Sequence, residues 1–200
     1  RDSTRLSNSI TPMPTRSVAA ERVFQSVERR LVPLKRTVEA RLVPTGTPTT
    51  IPEGTFVTLT QALGGTYTVV HEGSMARIDG EDADALGFEP EVMRFDAPED
   101  GNPLESQVWE ALRSVHDPEI PVNIVDLGLI YGCRIDGARV SINMTLTAPG
   151  CGMGPVLVQD VERRVGVVPF VDEVSVELVF DPPWSRDRMT DEAQLELGLF

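Results

Sequence analysis

Cysteine is almost missing from this chain: Cys133 and Cys151 are the only two among 200 residues, 18 positions apart. That spacing makes no CxxC pair and excludes a permanent four-cysteine zinc or cluster site within one chain. So little cysteine suits a reducing cytoplasm better than a disulfide-stapled secreted fold. Histidine is as scarce, and His71 has no cysteine or second histidine near it in sequence to complete a metal pair. No stretch approaches the roughly 18 uninterrupted apolar residues of a spanning helix, so no membrane segment is read. Basic residues are outnumbered 18 to 31, and the net charge of −13 argues against nucleic acid, whose phosphates require clustered Lys and Arg. Proteins or small ligands are the expected partners.

The basic residues that exist are unevenly placed. Residues 1–36 carry seven Arg and one Lys against three acidic residues, a balance of +5, which leaves −18 for residues 37–200. Residues 1–33 therefore read as a separate extension, disordered or weakly helical through Val23, Phe24, Val27 and Leu31. They have no apolar core of a secretory signal, and their Arg-rich, acid-poor composition also resembles a transit leader. Residues 34–95 then show short β-prone runs at Thr37–Val43, Thr55–Thr60, Thr66–His71 and Met75–Ile78, punctuated by Pro and Gly. This predicts a small β-rich meander or partial barrel whose thin core leans on the C-terminal domain. Leu63-Gly64-Gly65-Thr66 reads as a hairpin turn rather than a phosphate loop. Glu81–Gly87 predicts one or two helical turns, and residues 96–102 form the linker.

Residues 103–200 read as a two-layer α+β domain in the order α-β-β-α-β with a short C-terminal helix. Asn102, Pro103 and Glu105 are spaced as cap, first helical residue and capping-box partner, and Val108, Trp109, Leu112 and Val115 supply the buried stripe. Pro118 is expected to end that helix. Asp136-Gly137 predicts a hairpin turn into Arg139–Thr147, which alternates Val140, Ile142, Met144 and Leu146 on one face with Ser141, Asn143, Thr145 and Thr147 on the other. Beyond it lie a helix from Pro155 to Val165 and a strand from Glu173 to Phe180. Thr190 is positioned to cap the last helix, with Leu195, Leu197 and Leu199 as docking side chains.

The functional expectation centres on Gly150-Cys151-Gly152, just before the helix that starts at Pro155. A helix start favours a nearby anion and so a cysteine thiolate, which is both nucleophile and metal ligand. The glycines leave room for a ligand or a partner's sulfur. Against this stands the ordinary alternative of a buried, inert thiol. Cys133 reads as core. His116-Asp117-Pro118-Glu119-Ile120-Pro121 is a rigid turn that suits either a cation site or a plain surface loop, and Trp184, fixed by Pro182 and Pro183, is placed as a lid.

Four motifs resemble one family: Asp117-Pro118-Glu119-Ile120-Pro121, Asn123 to Tyr131, Met144-Thr145-Leu146-Thr147-Ala148-Pro149-Gly150-Cys151, and Asp181-Pro182-Pro183-Trp184. It is the domain-of-unknown-function fifty-nine family, and residues 34–90 are similar to the extra N-terminal region of its SufT-type members. The resemblance implies an accessory factor in iron–sulfur protein maturation, with an iron–sulfur-assembly-like fold and a tendency to form homodimers. It implies that Cys151 binds iron or a cluster transiently, with Asp117, Glu119, Thr145 and Thr147 as the matching motif residues; Asn143 on the polar strand face and Trp184 as lid join them as supporting positions from the reading of the residues themselves. The implied partners are the iron–sulfur assembly machinery and client apoproteins, with no catalytic residue assigned. The rival reading is a cysteine enzyme, a thioester hydrolase or redox thiol, with His116 as base; it requires the imidazole within hydrogen-bond reach of the sulfur.

Overall fold

The computed structural model describes residues 29–199. The weak helix expected through Val23, Phe24, Val27 and Leu31 lies mostly outside them. Its last residues are instead a strand, β1 (Arg30–Pro33), which pairs antiparallel with β4 (Phe56–Leu63). The residues alternate, with Val32 buried and Leu31 at 64% exposure, a period of two that a helical reading of Leu31 misassigns. The extension therefore gives way to the sheet before residue 34.

Six strands make the N-terminal sheet: β1, β2 (Val38–Val43), β3 (Pro48–Ile51), β4, β5 (Thr66–His71) and β6 (Ser74–Asp79), in the order β1-β4-β5-β6-β2-β3 and antiparallel throughout. Strand β3, not anticipated from the sequence, starts on Pro48, which an edge strand tolerates because it need not donate to a ladder. Inward residues Val38, Ala40, Ile51, Val57, Leu59, Val69, Ala76 and Ile78 form the core with Ala83, Ala85 and Leu86. The last three come from a 3-10 helix, Gly80–Leu86, closed by Gly87 in the left-handed conformation. Gly64 and Gly65, at φ 59° and 68°, form the two-residue turn between β4 and β5, where both positions need positive φ.

After the linker come α1 (Glu105–Arg113), β7 (Ile130–Asp136), β8 (Arg139–Met144), α2 (Gly154–Gly166), β9 (Glu173–Leu178) and α3 (Asp191–Glu196). The sheet order is β7-β8-β9; β7 and β8 form a hairpin through Gly137-Ala138, and β8 and β9 run parallel, joined by α2. The two-residue turn thus lies one position later than Asp136-Gly137, because Asp136 pairs with Arg139. Val140, Ile142 and Met144 of β8 meet Val108, Ala111 and Leu112 of α1 and Leu157, Val161 and Val165 of α2 in a single core. Ser141, Asn143 and Ser175 stand on the opposite, open face, with Ser141 half-buried and Asn143 and Ser175 exposed. The fold is α+β: a β-rich N-terminal sheet followed by a two-layer α-β-β-α-β unit. Among the described residues no helix is long and apolar enough to cross a membrane.

Two boundaries and one docking surface depart from expectation. Asn102 does not cap α1: its own amide groups bind Asp100, and the side chain of Glu105 accepts from Trp109 Nε1 at 3.3 Å instead of reaching back. The helix also stops at Arg113, five residues before Pro118, because Val115 to Asp117 bond across to Val122–Ile124, with a bridge between His116 and Asn123. At the C-terminus Thr190 does cap α3, accepting from Ala193 N at 3.2 Å, but Leu195 and Leu199 are exposed and only Leu197 packs on the core.

Candidate functional site

Strand β8 leads into the cysteine loop and ends sooner than its alternation suggests. After Met144 the backbone N–H of Thr145 turns to Leu129 O at 2.8 Å, and Thr145 and Leu146 are both buried. Thr145 is thus not on an open polar face: its side chain is fully enclosed, with no hydrogen-bond partner for Oγ1 among the described residues. Asn143 keeps its place on the exposed face and Thr147 is half-buried.

Ala148-Pro149-Gly150-Cys151 is a β-turn closed by Cys151 N–H donating to Ala148 O at 3.2 Å. Proline at the second position and glycine at the third, φ 78°, are what a type II turn demands. Gly154 N–H then donates to Cys151 O at 3.3 Å, and α2 begins at Gly154 with Pro155 in its first turn. Gly154 is small for a packing reason: a Cβ there would lie 3.1 Å from Leu146 Cδ1 and 3.4 Å from Leu178 Cδ1. Cys151 is thereby held half-buried at the mouth of α2, resting partly on the core, and among the described residues no donor hydrogen-bonds to its Sγ.

The acidic turn is built for its own support. Asp117 is buried, and its Oδ1 accepts from the backbone N–H groups of Glu119 and Ile120 at 2.8 and 3.0 Å, an Asx-turn that fixes the loop. Glu119 is exposed. Two side chains of the N-terminal sheet hold the same turn from outside, Gln61 Nε2 on Asp117 O at 3.0 Å and Arg77 Nη1 on His116 O at 3.3 Å. His116 Nδ1 bonds to Ser114 O at 3.1 Å, and burial holds the imidazole below its usual value. Among the described residues it makes no hydrogen bond to Cys151, so the base–nucleophile pairing required by a cysteine enzyme is not formed.

Trp184 is anchored by Nε1 donating to Leu127 O at 2.8 Å and packs on the core. Tyr131 OH donates to Pro182 O at 2.9 Å, and the Arg188 guanidinium lies 4.1 Å from the Tyr131 ring centre. Cys133 faces Ile142 across the β7–β8 ladder, and burial, reinforced by Glu105, pushes its thiol up. Among the described residues no three His, Cys, Asp or Glu side chains converge as a cation cage.

Several residues at the boundary between the two sheets were not singled out from the sequence. Arg77, Asp79 and Asp160 look like solvated charges in a linear reading, yet Arg77 and Asp160 are 3% exposed. Pro44, following β2, sits over Gly152, where a Cβ would come within 3.2 Å of its Cγ. Of these only Asp160 carries a sequence signal, as part of a charged, non-apolar stripe on α2 at helical spacing.

The model of the iron-sulfur cluster assembly protein family matches residues 105–178, from α1 to the end of β9 and including the cysteine loop. An Fe-S protein maturation auxiliary factor of Porphyromonas gingivalis is 47% identical over 96 residues, which is 47% of this chain and 90% of that protein. The Fe-S protein maturation auxiliary factor SufT of Staphylococcus aureus is 38% identical over 86 residues, 42% of this chain and 98% of that protein. An iron-sulfur cluster carrier protein of a Synechocystis species is 36% identical over 79 residues, 40% of this chain but 22% of the carrier. With nearly the whole length of the first two relatives matched at such identity, this chain belongs to the family of Fe-S protein maturation auxiliary factors.

Proposed function

We propose that this chain is an accessory factor in iron–sulfur protein maturation, and not an enzyme, in which Cys151 transiently ligates iron or a cluster and helps pass it to client apoproteins. The observation that carries the reading is the presentation of Cys151: a rigid Pro149-Gly150 turn delivers it to the mouth of α2 with glycine on both sides and, among the described residues, no donor engaged on its sulfur. The maturation and carrier names of the relatives agree with it.

One thiolate per chain is weak ligation, and no second ligand group stands ready among the described residues. The remaining ligands come from elsewhere, from a second copy of the chain in a homodimer or from the client's own cysteines. Weak ligation suits a carrier, because cargo must leave for a better-furnished site. Asn143 and Glu119, both exposed, are available to a partner, while Asp117 supports the loop between α1 and β7. The two free cysteines fit a reducing cytoplasm.

The test is activation of an iron–sulfur client enzyme in cells that depend on this factor. Cys151→Ser is expected to abolish activation with an unchanged melting temperature, whereas Cys133→Ala is expected to support it. A Cys151→Ser variant that activates clients as well as the parent chain would overturn the proposal.

A further inference from the structure

Helix α2 has two unlike faces. Leu157, Val161 and Val165 are fully buried against the three-stranded sheet. Gln159, Asp160, Arg163 and Arg164 lie on the other side at helical spacing, and all of them meet the N-terminal sheet. Asp160 Oδ2 is 2.6 Å from Arg77 Nη1, Arg163 pairs with Asp79, and Arg164 Nη2 donates to Gly64 O and Gly65 O at 2.7 and 2.6 Å. Gln159 fills the space over Gly46, where a Cβ would lie 2.9 Å from its amide nitrogen. Pro44, two residues before Gly46, covers Gly152: a Cβ there would stand 3.2 Å from Pro44 Cγ and 3.3 Å from its Cβ. Thus β6 is held on α2 by ion pairs and the β4–β5 turn by hydrogen bonds, while the turn between β2 and β3 packs on the same helix through Gly46 and Gln159 and ends against the residue beside Cys151.

We infer that this turn is one wall of the Cys151 site and that Pro44 is a positioning residue, restricting the direction from which a metal centre or a partner's thiol reaches the sulfur. Three features agree. Gly152 has no positive φ, so space rather than backbone conformation is what glycine supplies there. Val43, just before Pro44, packs on the core of the α+β unit. The threonines beyond Pro44 bond to each other, Thr45 Oγ1 to Thr47 Oγ1 at 2.8 Å, which stiffens the turn. The wall gives the N-terminal sheet a task at the cysteine. Its importance rests on the proposed role of Cys151, but the wall itself can be measured without that role.

The measurement is the rate of alkylation of Cys151 in the full chain, followed by peptide mass spectrometry, with iodoacetamide as the small reagent and a polyethylene-glycol maleimide as the bulky one. Pro44→Gly is expected to raise the bulky-to-small rate ratio several-fold, and Pro44→Ala, which keeps Cβ and loses Cγ, to raise it less. Gly152→Ala is expected to change the ratio when Pro44 is present and to have no effect in the Pro44→Gly chain. Unchanged ratios in folded Pro44 variants, or independent effects of positions 44 and 152, would overturn the inference. Failure of Cys151→Ser to impair clients would remove the cargo role and leave these ratios as they are, so the two claims fail separately.

Discussion

Arg77 Nη1 on β6 stands 2.6 Å from Asp160 Oδ2 on α2, with the two side chains 2% and 4% exposed. The contact is a charge pair rather than an aligned hydrogen bond, since that oxygen finds no well-directed donor. Arg163 lies 3.2 Å and Arg41 4.0 Å from the other oxygen of the same carboxylate. Burial pushes the Asp160 carboxyl up, while Arg77, Arg41 and Arg164 pull it down. Burial and the neighbouring guanidiniums push Arg163 down to about 9. Asp160, together with Asp79, which pairs with Arg41 and Arg163, therefore holds a crowd of arginines between the two sheets.

Removing that carboxylate is expected to be severe. Asp160→Asn leaves Arg77 buried with no opposite charge, and breaking a buried pair from one side costs about 3–5 kcal/mol. Replacing both partners, Arg77→Met with Asp160→Leu, is expected to recover most of the loss, because neither charge is then left without water or partner. Urea unfolding of the three chains checks this. A loss below about 1 kcal/mol for Asp160→Asn would show that the pair does not hold the interface.

Two glycines with similar backbone angles are expected to respond very differently to alanine. At Gly64, φ 59°, a Cβ would fall 1.9 Å from Ser114 O and 2.4 Å from His116 Nδ1, whereas at Gly54, φ 78°, nothing lies within 4 Å. Gly54→Ala should cost only the left-handed backbone term of about 1–2 kcal/mol. Gly64→Ala should cost more by at least as much again, since the β4–β5 turn must lift off the loop after α1. Equal melting points for the two variants would contradict the docking of that turn.

His116 makes stability depend on pH in a stated direction. The unfolded chain takes up a proton near 6.5, while the buried imidazole resists it until a lower pH. Between those values the unfolded state binds more protons, so the contribution is complete above 6.5 and is lost as pH falls through the folded-state value. Denaturation midpoints at pH 7.5 and pH 5.5 are expected to fall further apart in the parent chain than in His116→Gln. Identical pH dependence in both would mean that the ring is not buried in its neutral form.

Cys133 is expected to be the slow thiol. Its thiolate is disfavoured by burial and by Glu105, and the thiolate is the reactive form. Brief iodoacetamide treatment of the native chain should label Cys151 first, with Cys133 reached only after unfolding. Equal labelling of both would contradict the core assignment of Cys133.

Much of this arrangement was legible in the sequence where a single surface is buried. Val140, Ile142 and Met144 alternate because β8 has one core face, and Leu157, Val161 and Val165 repeat because α2 has an apolar stripe. The place of Cys151 just before α2 was equally plain, since Pro155 marks a helix start by local chemistry alone, whereas the Pro149-Gly150 turn that delivers it was not singled out. What stayed hidden depends on contacts distant in the chain. The end of α1 is decided by the bridge between His116 and Asn123, not by Pro118, and Thr145 is enclosed because its N–H crosses to Leu129. The polar stripe Gln159-Asp160-Arg163-Arg164 reads as a solvated face unless the partners Gly46, Arg77 and Gly64 are known. The chemistry of the cysteine was thus readable, and the wall beside it was not.

Whether Cys151 is the chain's ligand for iron or a cluster is decided by anaerobic reconstitution with iron and sulfide, read by visible absorption and native mass. The parent chain and Cys133→Ala are expected to gain iron-dependent absorption and mass, and Cys151→Ser to gain neither. Equal iron and sulfide bound by Cys151→Ser would contradict that assignment.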